Sequence, residues 1–263
     1  MTNIATSLHK PGAVSLVGAG PGDPELLTLK AAKAIAAATV LLVDDLVSAE
    51  IVALASPGAR VIHVGKRGGC KSTPQAFIEK LMVMAAREGE TVVRLKGGDP
   101  FIFGRGGEEV EHLRAQGIEV RVINGITAGL AGLSSLGAPL THRDHAHGVI
   151  FITGHAKPGN ADTDWRAIAT TARDAKLTLV IYMGVRGAAR IQEELLTGLP
   201  ESTPVAVIQH VSLPTQRHAV TTLGQLQATV EGEQLGSPSV IVVGDVVRGA
   251  AAALQAVPGR RAA

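Results

Sequence analysis

Acidic and basic residues stand directly after two short apolar runs, a placement that suits proton transfer. Asp44-Asp45 follows the run Val40–Val43, and Gly65-Lys66-Arg67-Gly68-Gly69 follows the run Val61–Val64. If both runs are strands of one parallel sheet, their carboxyl ends lie at the same edge and bring an acid and a base together. The simpler interpretation, charge on a solvated surface, stays open at this point.

A longer segment, residues 92–109 (VVRLKGGDPFIFGRGGEE), combines an apolar run with glycines and cations. The run ends at Gly97-Gly98-Asp99-Pro100, and Arg94, Lys96 and Arg105 are spaced around this turn. Parallel-sheet proteins bind ligands where a strand ends, and glycines there allow the backbone to approach a ligand closely. A turn with a hydrophobic plug explains the two nearby phenylalanines but does not require the cations. We therefore predict a ligand-binding turn.

Residues 18–24 (GAGPGDP) form a second glycine-rich turn, between a predicted strand and a predicted helix. With Asp44 or Asp45 further along the chain, this turn suggests a dinucleotide site, but Asp23 stands where the G-x-G-x-x-G pattern needs its third glycine. Asp23 and Pro24 are instead typical of a helix N-cap and a first helical residue. A carboxylate at that electropositive helix end disfavours phosphate. A structural turn and a site for a ligand without phosphate are the favoured interpretations, and a dinucleotide site stays open.

Three histidines, His142, His145 and His147, lie close together in the segment Thr141–His147. Imidazole binds several transition metals, but the spacing H-x-x-H-x-H matches no strong zinc pattern. We interpret this segment as a polar loop and expect no metal. In the second half of the chain, Tyr182-Met183-Gly184 ends another apolar run, and core packing is the alternative to a binding role for its methionine.

The composition excludes several broad classes of protein. The 25 Lys and Arg residues against 23 Asp and Glu give a net charge of +2, too small for a general binder of nucleic-acid backbones. Four Phe, one Trp and one Tyr are too few for base stacking. A single cysteine, Cys70, excludes internal disulfides and fits a reducing compartment, so we expect a cytoplasmic protein. No apolar run reaches the ~18–20 residues of a membrane span, and the first residues lack the apolar core of a secretory signal.

The elements that must position these residues alternate between strands and helices. Helices are predicted at Thr28–Ala38 and Gln75–Arg87, and a closely packed helix within Gly125–Pro139. Strands are predicted at Val14–Val17, Val40–Val43, Val61–Val64, Val92–Leu95, Val120–Ile123, Val149–Thr153, Thr178–Tyr182, Val205–Ile208, Val220–Leu223 and Val240–Val243. Such alternation favours parallel sheets covered by helices. We predict two α/β domains, residues 1–124 and 125–263, of about five strands each.

Seven segments of the chain, in order, resemble the tetrapyrrole methyltransferases. They are GAGPGDPELLTLKA (18–31), VGKRGG (64–69), VVRLKGGDPFIFGRGGEE (92–109), GITAGLAG (125–132), PLTHRD (139–144), YMG (182–184) and VVGDVV (242–247). The resemblance implies an active site in the cleft between the two domains, with S-adenosylmethionine as methyl donor and S-adenosylhomocysteine as product. It further implies that uroporphyrinogen III is methylated twice, by way of precorrin-1, to give precorrin-2 for sirohaem or cobalamin synthesis. A homodimer is implied as well.

The resemblance also assigns roles to individual residues. It implies that the proton acceptor is Asp44 and the proton donor is Lys66. The cofactor contacts that it implies are Pro21, Gly97, Gly98, Asp99, Ile102, Thr127, Ala128, Met183 and Val211. Candidates for binding substrate carboxylates are Arg67, Arg94, Arg105 and Arg143.

The chain departs from the family pattern at two places. Val43 and Asp45 stand where the family has Tyr and Arg beside the acid, and His210-Val211-Ser212 replaces Asn-Gly-Ser. Three other functions stay open: a methyltransferase acting on a later precorrin, a nicotinamide oxidoreductase that uses the glycine-rich turn at residues 18–24, and a tetrapyrrole carrier without activity.

Overall fold

The computed structural model describes residues 12–65, 73–155 and 163–256. The chain divides into two compact units, Met1–Thr127 and Ala128–Ala263. Each unit has a five-stranded sheet with helices packed on it, which confirms the predicted α/β class.

The sheet of the first unit is entirely parallel, as predicted. Its strands are β1 (Val14–Gly18), β2 (Val40–Val43), β3 (Arg60–His63), β4 (Val92–Lys96) and β5 (Val120–Ile123). Their order in the sheet is β3-β2-β4-β1-β5. Both β2 and β4 are buried on both faces, and β4 buries two charged residues, Arg94 and Lys96, whereas β3, at the edge, is largely exposed.

Helices cover both faces of this sheet. They are α1 (Leu29–Ala36), α2 (Ala49–Val52), α3 (Gln75–Arg87) and α4 (Gly106–Ala115). Alternate residues of β1 point to opposite faces, so that Leu16 packs in one core with α3 and α4, and Val17 packs in another with α1 and α2. The side chain of Thr28 accepts a hydrogen bond from the backbone N–H of Ala31 and caps α1.

The second unit differs from the prediction because its sheet is mixed. The strands are β6 (Gly148–Thr153), β7 (Leu177–Tyr182), β8 (Pro204–Gln209), β9 (Arg217–Thr222) and β10 (Ser239–Val243), in the order β6-β7-β10-β8-β9. Only β6 and β7 pair in parallel. The expectation of a parallel sheet was wrong here because residues 210–216, which join β8 to β9, are too few for a crossover helix.

Helices also surround the second sheet. They are α5 (Ala128–Ser134), α6 (Trp165–Asp174), α7 (Ala188–Leu196), α8 (Leu226–Gly232) and α9 (Val247–Ala256). One buried core joins α6, α7 and α8 to the sheet and includes Trp165. Among the described residues, no helix is both long enough and apolar enough to cross a bilayer.

Candidate functional site

The two glycine-rich turns of the first unit are hydrogen-bonded to each other. The backbone N–H of Gly98 donates to the carbonyl of Gly20 at 2.7 Å, and the N–H of Gly20 donates back to the carbonyl of Gly98 at 3.1 Å. Both residues have positive φ angles, +66° at Gly98 and +75° at Gly20, which favour glycine. The segments that follow β1 and β4 therefore form one backbone surface at the carboxyl edge of the sheet.

The residues after this surface begin a helix in the way that the sequence predicts. Pro24–Leu26 is a short 3₁₀ helix, and Asp23 is its N-cap. The Asp23 carboxylate accepts a hydrogen bond from the backbone N–H of Glu25 at 2.8 Å. The carboxylate occupies the helix end that a pyrophosphate would need, so the geometry disfavours the dinucleotide interpretation.

Asp99 ties the glycine turn after β4 to the chain that leaves β5. One carboxylate oxygen accepts a hydrogen bond from the backbone N–H of Phe101 at 2.8 Å. The other accepts from the side-chain amide of Asn124 at 3.0 Å and from the backbone N–H of Gly125 at 3.1 Å. Asp99 is buried, and both of its oxygens are engaged within the protein. The carboxylate therefore fixes the shape of this turn.

A cluster of four charged side chains lies behind the end of β2; we call it the ionic cluster. Its members are Asp44, Arg94, Lys96 and Glu109. Arg94 donates from its terminal nitrogen to Asp44 Oδ1 at 2.9 Å and from Nε to Glu109 Oε1 at 3.1 Å. Lys96 Nζ lies 3.2 Å from Glu109 Oε2 and 3.8 Å from Asp44 Oδ2. Two cations and two carboxylates thus balance each other.

Arg94 is buried within the ionic cluster. Its side chain is only 2% exposed, and its guanidinium is shared between Asp44 and Glu109. The sequence suggested Arg94 as a group that binds substrate carboxylates, but the structure places its guanidinium inside the unit. The physical reason is the burial of β4, where every side chain is covered.

Sequence analysis did not identify Glu109, although a signal was present. Arg94 and Lys96 are two residues apart on a buried strand, so they point to the same face and require a negative partner there. Glu109, in the first turn of α4, is that partner and is fully buried. Burial lowers the pKa of Lys96, and Arg94 adds to this effect, whereas Glu109 and Asp44 act in the opposite direction.

The loop after the glycine turn exposes Arg105. This residue has a positive φ of 57° between two glycines and precedes α4. Its guanidinium donates two hydrogen bonds to Glu108, at 2.6 and 3.0 Å, and this pairing raises its pKa above the usual value. Ile102 is half-buried in the same loop, and its neighbours Phe101 and Phe103 are exposed.

In the second unit, Tyr182 connects the end of β7 to the start of α5. Its hydroxyl accepts a hydrogen bond from the backbone N–H of Gly129 at 2.8 Å. A Cβ atom at Gly129 would overlap this hydroxyl, so the glycine and the tyrosine fit each other. Met183 follows with a positive φ of 55° and is 52% exposed. Two of the predicted cofactor contacts, Ala128 and Met183, are therefore the sequence neighbours of the two residues that this hydrogen bond joins.

Val211 lies in the connection after β8. It is buried between His210 and Ser212, both of which have positive φ angles, 52° and 64°. Such backbone conformations are uncommon for residues other than glycine and concentrate at functional sites. The valine packs near Gly132 of α5, the helix that Ala128 begins.

The histidine-rich segment is a tight loop closed by two hydrogen bonds between the backbones of His142 and Ala146. The rings of His142 and His145 stack with their centroids 4.6 Å apart. An open depression of about 400 Å³ is lined by Thr141, His142, Arg143, Ala146 and His147. In the part of the chain that the structure describes, no three His, Cys, Asp or Glu side chains converge as a metal site would require.

The structure brings several of the predicted residues together within the first unit and leaves others apart. Pro21 follows Gly20 in the joined turns, and Gly97 and Gly98 supply the other half. Thr127 is buried beside Gly98. Arg143 is exposed on its own loop in the second unit. Lys66 and Arg67 lie outside the described residues.

Proteins of known sequence identify the family of this chain. The chain matches the family described as Tetrapyrrole (Corrin/Porphyrin) Methylases over residues 13–227. It is 50% identical over 238 residues to a uroporphyrinogen-III C-methyltransferase of Pseudomonas aeruginosa, covering 90% of this chain and 95% of that protein. It is also 50% identical to a siroheme synthase of Azotobacter vinelandii, but spans only half of that longer protein.

Solved structures have the same fold. A uroporphyrin-III C-methyl transferase of Thermus thermophilus, solved in complex with S-adenyl homocysteine, is 40% identical, with a TM-score of 0.76 over 90% of this chain and 94% of the other. A cobalt precorrin-4 methyltransferase is 27% identical, with a TM-score of 0.79 over 88% and 94% of the two chains. The chain therefore belongs to the tetrapyrrole methylase family.

Proposed function

We propose that this protein transfers methyl groups from S-adenosylmethionine to two carbon atoms of uroporphyrinogen III, forming precorrin-1 and then precorrin-2. The observation that carries the proposal is the 50% identity to the Pseudomonas aeruginosa uroporphyrinogen-III C-methyltransferase, of which this chain covers 95%. The product is a precursor for sirohaem, for cobalamin or for both.

The chemistry of the first unit fits the methyl donor. S-adenosylmethionine supplies, when bound, a methyl group made electrophilic by a positively charged sulfur. A site for a cation must not present an unbalanced positive charge, and the two cations of β4, the strand before the glycine turn, are Arg94 and Lys96, which are neutralised by Asp44 and Glu109. The residues proposed to hold the cofactor are Pro21, Gly97, Gly98, Ile102, Thr127, Ala128, Met183 and Val211, with Asp99 fixing the turn.

The substrate is a macrocycle that carries carboxylates around its rim, and exposed guanidinium groups bind carboxylates well. Arg105 is exposed in a loop flanked by glycines, where Glu108 holds its guanidinium by two hydrogen bonds, and Arg143 is exposed beside the open depression. We propose these two residues, together with Arg67, as the carboxylate-binding residues. Arg94, with its guanidinium engaged by Asp44, belongs instead to the support of that acid.

Asp44 is the proposed proton acceptor. A reduced pyrrole carbon is nucleophilic enough to attack a sulfonium methyl group directly, so the protein has to align the reactants and then accept a proton. The Asp44 side chain is 32% exposed, so part of its carboxylate is open to a substrate while Arg94 holds Oδ1 from behind. Lys66 is the proposed proton donor.

The test is an anaerobic incubation of the protein with uroporphyrinogen III and methyl-labelled S-adenosylmethionine. The expected result is incorporation of two labelled methyl groups per macrocycle, greatly slowed by Asp44→Asn. Label found only with a later precorrin would instead favour the relationship to the cobalt precorrin-4 methyltransferase. Binding of a nicotinamide dinucleotide without binding of S-adenosylhomocysteine would refute the methyltransferase proposal.

We further propose that the protein is a homodimer in the cytoplasm. The single cysteine is compatible with a reducing compartment, and enzymes of this size commonly form closed dimers. Light scattering at micromolar concentration should give twice the mass of one chain, and the mass of a single chain would argue against the dimer.

A further inference from the structure

The ionic cluster has more members than acid–base chemistry at Asp44 requires. Among the residues that the structure describes, the buried charged side chains are Arg94, Lys96, Asp99 and Glu109. Asp99 is engaged by the backbone and by Asn124, whereas the other three form the ionic cluster with Asp44, which contacts Arg94 and Lys96 directly. A fold seldom gains stability from such a group, because removing charges from water costs more than their mutual attraction returns. We therefore look for a function of the cluster rather than a contribution to stability.

The order of contacts within the cluster runs from the interior to the exposed carboxylate. Glu109 is fully buried and accepts hydrogen bonds from Arg94 Nε at 3.1 Å and from the side-chain amide of Gln75 at 3.0 Å. Its carboxylate also has the Lys96 ammonium at 3.2 and 3.3 Å. Arg94 and Lys96 in turn face the two carboxylate oxygens of Asp44, the only cluster member with substantial access to solvent.

Three elements produce this arrangement: β2, β4 and α4, the last of which supplies Glu109. Arg94 and Lys96 project from the same face of β4, and Leu42 of the neighbouring strand β2 is in register with Arg94. Asp44 directly follows β2, and its backbone N–H donates to the carbonyl of Leu95. Both ends of the acid, backbone and side chain, are thus anchored to β4. The position of the Asp44 side chain therefore depends on the positions of Arg94 and Lys96.

We propose that Glu109 is a positioning residue for methyl transfer. It holds Arg94 and Lys96 in place, and these two cations fix the orientation of the Asp44 carboxylate that accepts the proton. This inference rests on the proposed function. It adds a residue that contacts neither cofactor nor substrate, and it predicts that turnover depends on Glu109 only through Asp44.

The test compares Glu109→Gln with Glu111→Gln. Both residues are on α4, but Glu111 is exposed, so it controls for loss of one charge from the same helix. We expect Glu109→Gln to lower kcat by about 10- to 100-fold, with the KM for uroporphyrinogen III and the calorimetric Kd for S-adenosylhomocysteine within about two-fold of wild type. Glu111→Gln should leave all three values unchanged.

A double-mutant cycle separates positioning from a general structural effect. If Glu109 acts through Asp44, then Glu109→Gln introduced into the Asp44→Asn protein should cause no further loss of kcat beyond about two-fold. Equal losses of kcat in both backgrounds would overturn the proposal. So would a Glu109→Gln protein in which KM and Kd deteriorate as much as kcat.

A milder variant covers the possibility that Glu109→Gln does not fold. Gln75→Leu removes only the amide that donates to Glu109 and should lower kcat a few-fold without changing Kd; an unchanged kcat would contradict the proposal. The outcomes also separate the two claims. Label transfer by wild type with full turnover in Asp44→Asn would refute the positioning role and leave the methyltransferase function standing, whereas no label transfer by wild type refutes both.

Discussion

Replacing Asp99 tests whether the glycine turn after β4 is held by a carboxylate that itself binds no ligand. Its two oxygens accept three hydrogen bonds, from Phe101, Asn124 and Gly125. An asparagine at this position has only one accepting oxygen. With that oxygen toward Asn124 and Gly125, the new amide points its N–H groups at the N–H of Phe101, and the flipped orientation loses the other two bonds.

The size of the effect follows from the number of bonds lost. Hydrogen bonds to a charged group contribute about 1.5–3 kcal/mol each, and a buried donor left unpaired adds a desolvation cost. In its better orientation, Asp99→Asn loses one hydrogen bond and places two N–H donors, its own and that of Phe101, against each other. We therefore expect a loss of about 2–3 kcal/mol in the free energy of unfolding. Asp99→Ala loses all three, but Asn124 is exposed and can turn to water, so we expect about 3–5 kcal/mol.

Urea unfolding followed by circular dichroism measures this loss, and the fluorescence of Trp165, the single tryptophan, follows the second unit separately. Asp164→Asn is the matched control, because its carboxylate caps α6 by accepting from Ala167 and asparagine caps helices equally well. We also expect S-adenosylhomocysteine to bind about ten-fold more weakly to Asp99→Asn. A change of less than about 0.5 kcal/mol in the unfolding free energy would refute the reasoning.

Three further predictions concern other parts of the chain. Arg105→Ala should raise the KM for uroporphyrinogen III with a milder change in kcat, whereas Lys66→Ala should lower kcat about 10²-fold at saturating substrate; if both change only KM, Lys66 is another carboxylate-binding residue. Gly129→Ala should destabilise the second unit by about 2–4 kcal/mol in urea unfolding because its methyl group overlaps the Tyr182 hydroxyl, and Tyr182→Phe in the same protein should restore part of this loss. Burial lowers the pKa of His218, so as the pH falls the unfolded chain binds a proton at a higher pH than the folded chain does. The free energy of unfolding should therefore decrease as the pH drops from about 7 to 5. His218→Gln should flatten this dependence, and an unchanged slope would exclude His218 as its source.

The strands buried on both faces were the part of the fold most accessible from sequence. β2 coincides with the predicted run because it is an unbroken row of branched apolar side chains, and β4 extends its predicted run by one residue although Arg94 interrupts its apolar side chains. The edge strand β9 was less well predicted because it begins with Arg217 and His218, polar residues that an apolar count passes over. The direction of β10 could not be predicted, because the apolar pattern of a strand is the same in either direction.

Some residues of the candidate site could also be predicted from the sequence, and others could not. Gly98 and Asp23 were interpretable because a glycine after a strand and an aspartate before a proline carry local conformational meaning. The link between Arg94 and Asp44 joins residues that are far apart in the chain, and no local pattern encodes such a contact. The departure at Asp45, where the family has an arginine, suggested that Asp44 lacks a cation, yet Arg94 supplies one from the neighbouring strand.

The strand order of the first sheet also determines when that sheet can form. β1, the first strand in the sequence, lies between β4 and β5, and Val14 pairs with Val92 and Val120. During synthesis, β2 and β3 become available to each other early, while β1 must wait for two strands that are made much later. Pairing between distant segments closes long loops and is slow. The joined turns at Gly20 and Gly98 are therefore completed late in folding, after most of the first unit has left the ribosome.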